Sequence, residues 1–442
     1  MEKKVLFVFL ILFQVWHKSF GQADSILSLS LDEAKKYALS NSPIIKSSEL
    51  DIESAKKKIW ETTAIGLPQA SAKYAYSYII TLPDIYKKFA VMGGTQQGAT
   101  TMNLDDLKTS STLDITVSQL IFSGSYLVGL QTSRVYKSLS ELALSKSQQD
   151  LAESVTQSYV LVLVVKENKR IIDSMYNNLK SIYESMKAIY AQGLIEETDV
   201  DQLEITVNTL KNNADLLERQ TDISERLLKF QIGYPLDKKI SLTDSISYLL
   251  SNFENNEILL KNFNVENYVD YKLLETQKRL MKLNLMLNKS AFLPEVAGYY
   301  QHDKNFNNKA ISFTPPDIVG ISVNIPIFSS GMRLAKVSQA RISYEKAILN
   351  QEQSAKSLQI SYEDSKSKYL SSLQNYETAK KNLQLAEKIY NRSLIKFKEG
   401  VITSIELTQV QNQYLQSQTN LYNSIIELTN AKLKLEKLLS SL

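Results

Sequence analysis

Hydrophobic and polar positions alternate at two distinct periods along this chain, and each period recurs in the same place in both halves. From Tyr362 to Gly400 two seven-residue tracks run together. One is large (Tyr362, Tyr369, Tyr376, Leu383, Tyr390, Phe397); the other is small (Ser365, Ser372, Ala379, Ala386, Ser393, Gly400). Their offset is the 4-3 spacing of a coiled-coil seam. Tyr176, Tyr183 and Tyr190 repeat the large track earlier, with Ile172, Leu179 and Met186 beside it. A two-residue period replaces it elsewhere. Tyr74, Tyr76, Tyr78 and Ile80 alternate with Lys73, Ser77 and Thr81, and Leu113, Ile115, Val117 and Ile121 alternate with polar residues. So do Val319, Ile321, Val323, Ile325 and Ile327, which predicts strands with unlike faces.

Breakers divide the chain into a module used twice. Leu31–Ala64 is helical in pattern, interrupted at Asn41-Ser42-Pro43 and stopped at Gly66-Leu67-Pro68; a second helix stops at the matching Phe292-Leu293-Pro294. A hairpin follows each, the first with a long exposed loop over Pro83–Asp106. After Ile121-Phe122-Ser123-Gly124 and Ile327-Phe328-Ser329-Ser330-Gly331, proline disappears for a long run. Phe122 to Gly193 spans 71 positions (193 minus 122) and Phe328 to Gly400 spans 72 (400 minus 328), so the two rods are of equal length. At 1.5 Å per residue each is about 100 Å long. The expected first repeat, 22–263, holds a helix, a hairpin at about 70–121, a long helix 125–192, a return helix 198–230 and an irregular polar segment 234–263 outside the rods. The second, 264–442, holds a helix, a hairpin at about 295–328, a long helix 331–399 and a return helix 404–440.

The N-terminus adds a compartment. Met1–Gly21 has lysines, an apolar run from Val5 to Val15, and Ser19 and Gly21 before a cleavage point, which reads as a signal peptide over 1–21. That run is too short for a membrane helix, and no later stretch approaches about 20 apolar residues. The chain has no cysteine, hence no disulfide and no lipidation cysteine. Any passage through a membrane is therefore by β-barrel. The formal charge of +4 falls towards neutral without Lys3, Lys4 and Lys18, and no basic footprint of a nucleic-acid binder is visible. No enzyme is expected, and no metal or other cofactor. His302 is the one histidine beyond the signal segment, and no glycine-rich phosphate loop follows a strand.

Four strands cannot close a barrel, since single-chain barrels begin at about eight, and open edges are excluded from lipid. Three chains would supply twelve strands over a ring of twelve helices, the smallest symmetric closure with room for a pore. The small track would then let neighbouring staves pack closely and narrow towards Gly400.

Residues 325–347, beginning IPIFSSG, the Leu-Pro before each first strand, and the paired turns AQGLIEETDVDQLE and KEGVITSIELTQVQ resemble the TolC family of outer-membrane efflux channels. The resemblance covers nearly all of the chain after the signal segment, twice over. It implies a mainly α fold with a β-barrel part: a homotrimer whose twelve-stranded membrane barrel stands on a twelve-helix α-barrel crossing the periplasm. It further implies a passive channel-tunnel of a tripartite efflux or type I secretion system, meeting a periplasmic adaptor and an inner-membrane RND or ABC pump. A periplasmic coiled-coil adaptor or scaffold is the competing class, but would not need two complete modules or four alternating strands.

At the rod tips, Asp199 falls on Glu406 with the repeat offset of 207 (400 minus 193). In a trimer these acids would ring a pore mouth. They also suit the positive end of a return helix, and Thr403 with Glu406 has capping-box spacing, which Thr198 with Asp201 approaches. Both readings stand. The resemblance places Thr198, Asp199 and Glu406 on the family's gate, with Asp201 beside them. Gln409 stands where the familiar pattern has a second acid, Ile402 where it has a base, and Phe397 where it has a tyrosine; this implies a gate held by apolar packing. After the terminal glycines, Gly193-Leu194-Ile195 and Gly400-Val401-Ile402 either fold back as Schellman contacts or form an adaptor-docking surface.

Overall fold

The computed structural model describes residues 26–81, 83–84, 108–253, 256–306 and 315–439. The expected signal peptide and most of the first hairpin's loop lie outside the described residues. In chain order the elements begin β1 (Leu27–Leu29), α1 (Leu31–Asn41), α2 (Pro43–Ala64), β2 (Gln69–Tyr78), β3 (Thr109–Phe122), α3 (Gly124–Tyr190) and α4 (Glu197–Ile232). There follow β4 (Ile240–Leu242), α5 (Ile246–Phe253), α6 (Val269–Ser290), β5 (Glu295–Asn305), β6 (Asp317–Asn324), α7 (Met332–Lys398) and α8 (Ser404–Leu438). The two long helices, α3 and α7, have 67 residues each. The chain forms two compact units.

One unit comprises Ser48–Ala143 and Asp270–Lys356 and holds the sheet. Its strands run β2-β3-β5-β6, antiparallel throughout, with a bulge between Leu120 and Phe122. Cross-strand partners share a face. One face carries the rows Tyr74–Leu113–Lys304, Ala72–Ile115–His302 and Ala70–Val117–Tyr300–Val319. The other carries Lys73–Asp114–Asp303 and Ser71–Thr116–Gln301–Ile318. The first face is broadly apolar and open: Tyr74, Tyr76, Tyr78, Val319 and Ile321 are all exposed. Both sheet edges, on β2 and β6, lack a partner strand among the described residues. In the same unit Val128 and Val135 of α3 pack on Leu280 and Leu283 of α6.

The second unit comprises Met1–Ser47, Leu144–Val269 and Ser357–Leu442. A capping box at Ser30 and Glu33 starts α1, and Pro43 opens α2 where a missing N–H costs nothing. The core interlocks four helices: Ile172, Met175, Leu179 and Ile182 of α3, Leu203, Val207 and Leu210 of α4, Ala386, Tyr390 and Phe397 of α7, and Leu407 and Tyr414 of α8. The large track of the seam is thus buried inside one chain, with Tyr369 fully enclosed and the Tyr390 and Tyr414 rings stacked at 5.4 Å. The small track is divided within the chain, with Ser372, Ala379 and Ser393 half-buried and Gly400 exposed. Ser365 and Ala386 are buried against this chain's own helices, because a 4-3 seam closes on the nearest apolar face and the return helix supplies it.

Segment 234–263, expected to be irregular, contains β4 and α5 and buries Leu249, Leu250 and Ile258. β4 pairs in parallel with β1, Leu27 opposite Ile240. The buried Tyr159 hydroxyl of α3 donates to the Leu29 carbonyl at 3.0 Å and lies 3.1 Å from Asp244 Oδ2, while the Leu31 amide donates to that same carboxylate oxygen at 2.7 Å. Burial pushes the Tyr159 phenol well above its ordinary range. Lys437 of α8 bridges Asp150 at 2.6 Å and Glu153 at 2.8 Å on α3.

Candidate functional site: the two helix tips

Both rods end the same way. Gly193 has φ of 75° and Gly400 φ of 74°, the left-handed region that only glycine enters without strain. The Gly193 amide donates to the Tyr190 carbonyl at 2.7 Å and the Leu194 amide to that of Ile189 at 3.4 Å; Gly400 to Phe397 at 3.0 Å and Val401 to Lys396 at 2.8 Å repeat the pattern. These are paired Schellman bonds. The side chains do not follow the backbone inward: Leu194 is 70% and Val401 65% exposed. Of the two readings of these turns, the Schellman bonds form but the side chains do not fold back. The next residues, Ile195 and Ile402, are half-buried, and Ile402 packs against the four-helix core.

The return helices begin at Glu197 and Ser404. Thr403 caps α8, its hydroxyl accepting from the Glu406 amide at 3.3 Å. At the equivalent place α4 has Glu196, with no side-chain cap, and the Thr198 hydroxyl donates to the Glu196 carboxylate at 3.3 Å. Thr198 and Asp201 thus form no capping pair, because the helix starts one residue earlier than the sequence suggests. Asp199 and Glu406, equivalent by repeat, have different surroundings. The Ser404 hydroxyl, 2% exposed, donates to Asp199 Oδ1 at 2.6 Å and ties the two tips together, while Glu406 and Gln409 stay exposed. Behind them Thr206 and Thr408 meet at 3.3 Å.

Phe397, grouped with the gate by resemblance, is only 5% exposed and packs in the hydrophobic core with Leu407 and Ile402. It lies on the seam's large track, and the seam turns it inward. Charge concentrates on the first tip. Glu196, Glu197, Asp199, Asp201 and Glu204 follow Gly193 with no basic residue among them, while Lys396 and Lys398 offset Glu399 and Glu406 at the second. The charge of Glu197 pushes the Tyr190 phenol up, and Tyr183 donates to Glu204 at 2.8 Å, which raises its own phenol. Glu196, Glu197 and Ser404 were missed as site residues. The acidic run was readable in the sequence; the Ser404 contact, across 205 positions, was not.

An antiparallel sheet with one apolar and one polar face, joined to rods whose tips, one of them acidic, are tied together by the Ser404–Asp199 bond, defines the class: a membrane channel subunit with a helical extension. The outer membrane efflux protein family matches residues 36–233 and 274–441, and the chain belongs to it. It is an outer-membrane protein with the duplicated TolC-like fold and an efflux channel role, in a family of transporters rather than enzymes. Solved structures share the fold. The outer membrane channel CmeC of Campylobacter jejuni is 14% identical, with a TM-score of 0.74 over 93% of this chain and 85% of its own. The outer membrane protein VceC of Vibrio cholerae is 13% identical, with a TM-score of 0.71 over 92% of this chain and 95% of its own. CusC, studied for folding and transmembrane channel formation, is 15% identical, with a TM-score of 0.73 over 93% and 92%. No curated protein sequence matches the chain.

Proposed function

We propose that three copies of this chain close one twelve-stranded barrel and form the passive outer-membrane duct of a tripartite efflux or type I secretion system. The observation that carries this is the four-stranded sheet with unlike faces and two edges that have no partner among the described residues. Neither edge is tolerable in lipid, and four strands fall short of the roughly eight a barrel needs. Pairing β6 of one copy with β2 of the next removes every edge, leaving Val319, Ile321 and the tyrosines towards lipid and Lys73, Asp114, Asp303 and Thr116 towards the lumen. The long helices then form a twelve-helix tunnel through the periplasm.

At its tip, Asp199 and Glu406 from three copies ring the constriction, flanked by Thr198, Asp201 and Gln409. The packing of Phe397 and Ile402, in place of a salt-bridged lock, holds the ring closed. Exposed Leu194 and Val401, presented by Gly193 and Gly400 and flanked by Ile195 and Ile402, give an adaptor's helical hairpin an apolar foothold and connect the duct to an RND or ABC pump. The test is single-channel recording in planar bilayers beside the oligomer mass. A trimer with cation-selective conductance is expected, and D199A/E406A should reduce that selectivity. A particle with no pore refutes the duct; unchanged selectivity in D199A/E406A removes the ring's role alone. Crosslinks from Leu194 and Val401 to a co-expressed adaptor test the docking surface.

A further inference from the structure

The sheet-bearing unit contains a cleft of ≈ 980 Å³ between α3 and α6, with Tyr344 of α7 at its margin. Its charge is lopsided. Arg134, Lys272, Lys278, Arg279 and Lys282 line it against a single acid, Glu275. Lys272, Glu275, Arg279 and Lys282 recur at spacings of three, four and three, so they form one stripe along α6, and Arg134 faces them from α3. None of the five cations has an ion-pair partner within the described residues, although elsewhere on these helices lysines do pair, as Lys137 does with Glu141 at 2.9 Å. Five like charges in one concavity repel one another, and nothing in the described fold requires them there. The Val128–Val135–Leu280–Leu283 contact that joins the two helices is apolar and complete without them.

We infer that this cleft is a binding site for a polyanion carrying at least two phosphate or carboxylate groups. The volume lies at the upper end of the range for small-ligand sites. Arginine presents a planar fork matched to phosphate and carboxylate oxygens, and the lysines add point charge at adjustable reach. Two sources share this chemistry. The stripe ends eight residues before Ser290, or about 12 Å from the helix end that leads into strand β5. Phosphate headgroups of lipids beside the strands are therefore within reach of its upper part, and a soluble polyphosphate could enter the whole cleft.

The experiment uses the full-length protein and inorganic tripolyphosphate, titrated calorimetrically in neutral detergent, then in nanodiscs with and without phosphatidylglycerol. R134Q/R279Q/K282Q is compared with K388Q/K396Q, which removes charge from the lower part of α7. Tripolyphosphate should bind the wild type and the K388Q/K396Q control alike, weaken with added salt, and bind the triple variant at least tenfold more weakly. Competition by phosphatidylglycerol nanodiscs assigns the site to lipid headgroups; binding unaffected by the lipid assigns it to soluble anions. Equal binding by the triple variant and the control overturns the inference, as does no binding by the wild type. A triple variant that no longer assembles also overturns it, because the cations would then be pairing with a neighbouring copy. Conductance of the triple variant reports separately on the duct.

Discussion

Two glycines with nearly the same backbone angle provide a controlled comparison. Gly193 and Gly233 have φ of 75° and 74°, but a Cβ on Gly193 meets nothing within 4 Å, whereas one on Gly233 would lie 2.8 Å from the Asn41 carbonyl oxygen, 3.1 Å from its carbon and 3.2 Å from Ser42 Cα. Gly193→Ala therefore carries only left-handed strain, roughly 1–2 kcal/mol, partly offset by a less flexible unfolded chain. Gly233→Ala carries the same strain plus a backbone collision. The atoms in the way cannot retreat freely: they sit at the α1–α2 junction, where the Ser42 amide donates to Ala38 and Pro43 fixes the next turn. Overpacking of this kind costs about 1–3 kcal/mol more. Thermal unfolding of such channel proteins is prone to irreversibility, so native-state hydrogen exchange by mass spectrometry is the better readout. Gly233→Ala should lower protection across the end of α4 and the α1–α2 junction by about 5- to 150-fold beyond the loss that Gly193→Ala causes at the end of α3. Equal losses at the two sites would refute the argument, since the close approach to Asn41 would then count for nothing.

Other outcomes follow from the buried tyrosines and the small track. Burial pushes Tyr390 and Tyr422 up to about 12, so the stability they contribute is complete below the unfolded phenol value near 10 and is lost as pH rises towards 12; alkaline melts followed by circular dichroism should show that window. Tyr390→Phe deletes a buried hydroxyl without a hydrogen-bond partner and should leave the melting temperature unchanged or raise it, with part of the alkaline loss removed. Ala386→Phe should destabilise the α7–α8 pair by about 1–3 kcal/mol and impair assembly, read as loss of native oligomer on gels. For Lys437, burial lowers the ammonium's pKa but the bonds to Asp150 and Glu153 outweigh it and hold it raised; Lys437→Ala should cost about 1–3 kcal/mol at neutral pH, measured by urea denaturation, and the wild-type advantage should fade at strongly alkaline pH.

Much of this architecture is legible in the sequence because it is periodic. The 4-3 seam of Tyr362–Phe397, the alternation through Val319–Ile327 and the matched stops at Leu67-Pro68 and Leu293-Pro294 each reflect one repeating geometry. What escaped was set by contacts between distant residues. β1 and β4 are three residues long, too short to show a period, and exist only because they pair. The Ser404–Asp199 bond joins two repeats whose local patterns say nothing of each other. Phe397 satisfies two patterns at once, a gate alignment and a seam position, and its burial with Leu407 and Ile402 is a tertiary contact that neither pattern specifies. The α6 half of the basic cleft was visible as spacing, but Arg134, which turns a charged stripe into a concavity, lies more than a hundred residues away.

The pairing of Leu27 with Ile240 also imposes an order of events on folding. The first described strand has no partner until more than two hundred further residues are available, so closing that loop is a late step for the first repeat and an entropically expensive one. Both strands nevertheless belong to the first repeat, and so do Tyr159 and Asp244, which hydrogen-bond beside them. This clasp can therefore form while the second repeat is still unstructured. The sheet is different: β3 must wait for β5, which arrives only with the second repeat. The four-stranded sheet, like the four-helix core, is therefore complete only once the second repeat has been made.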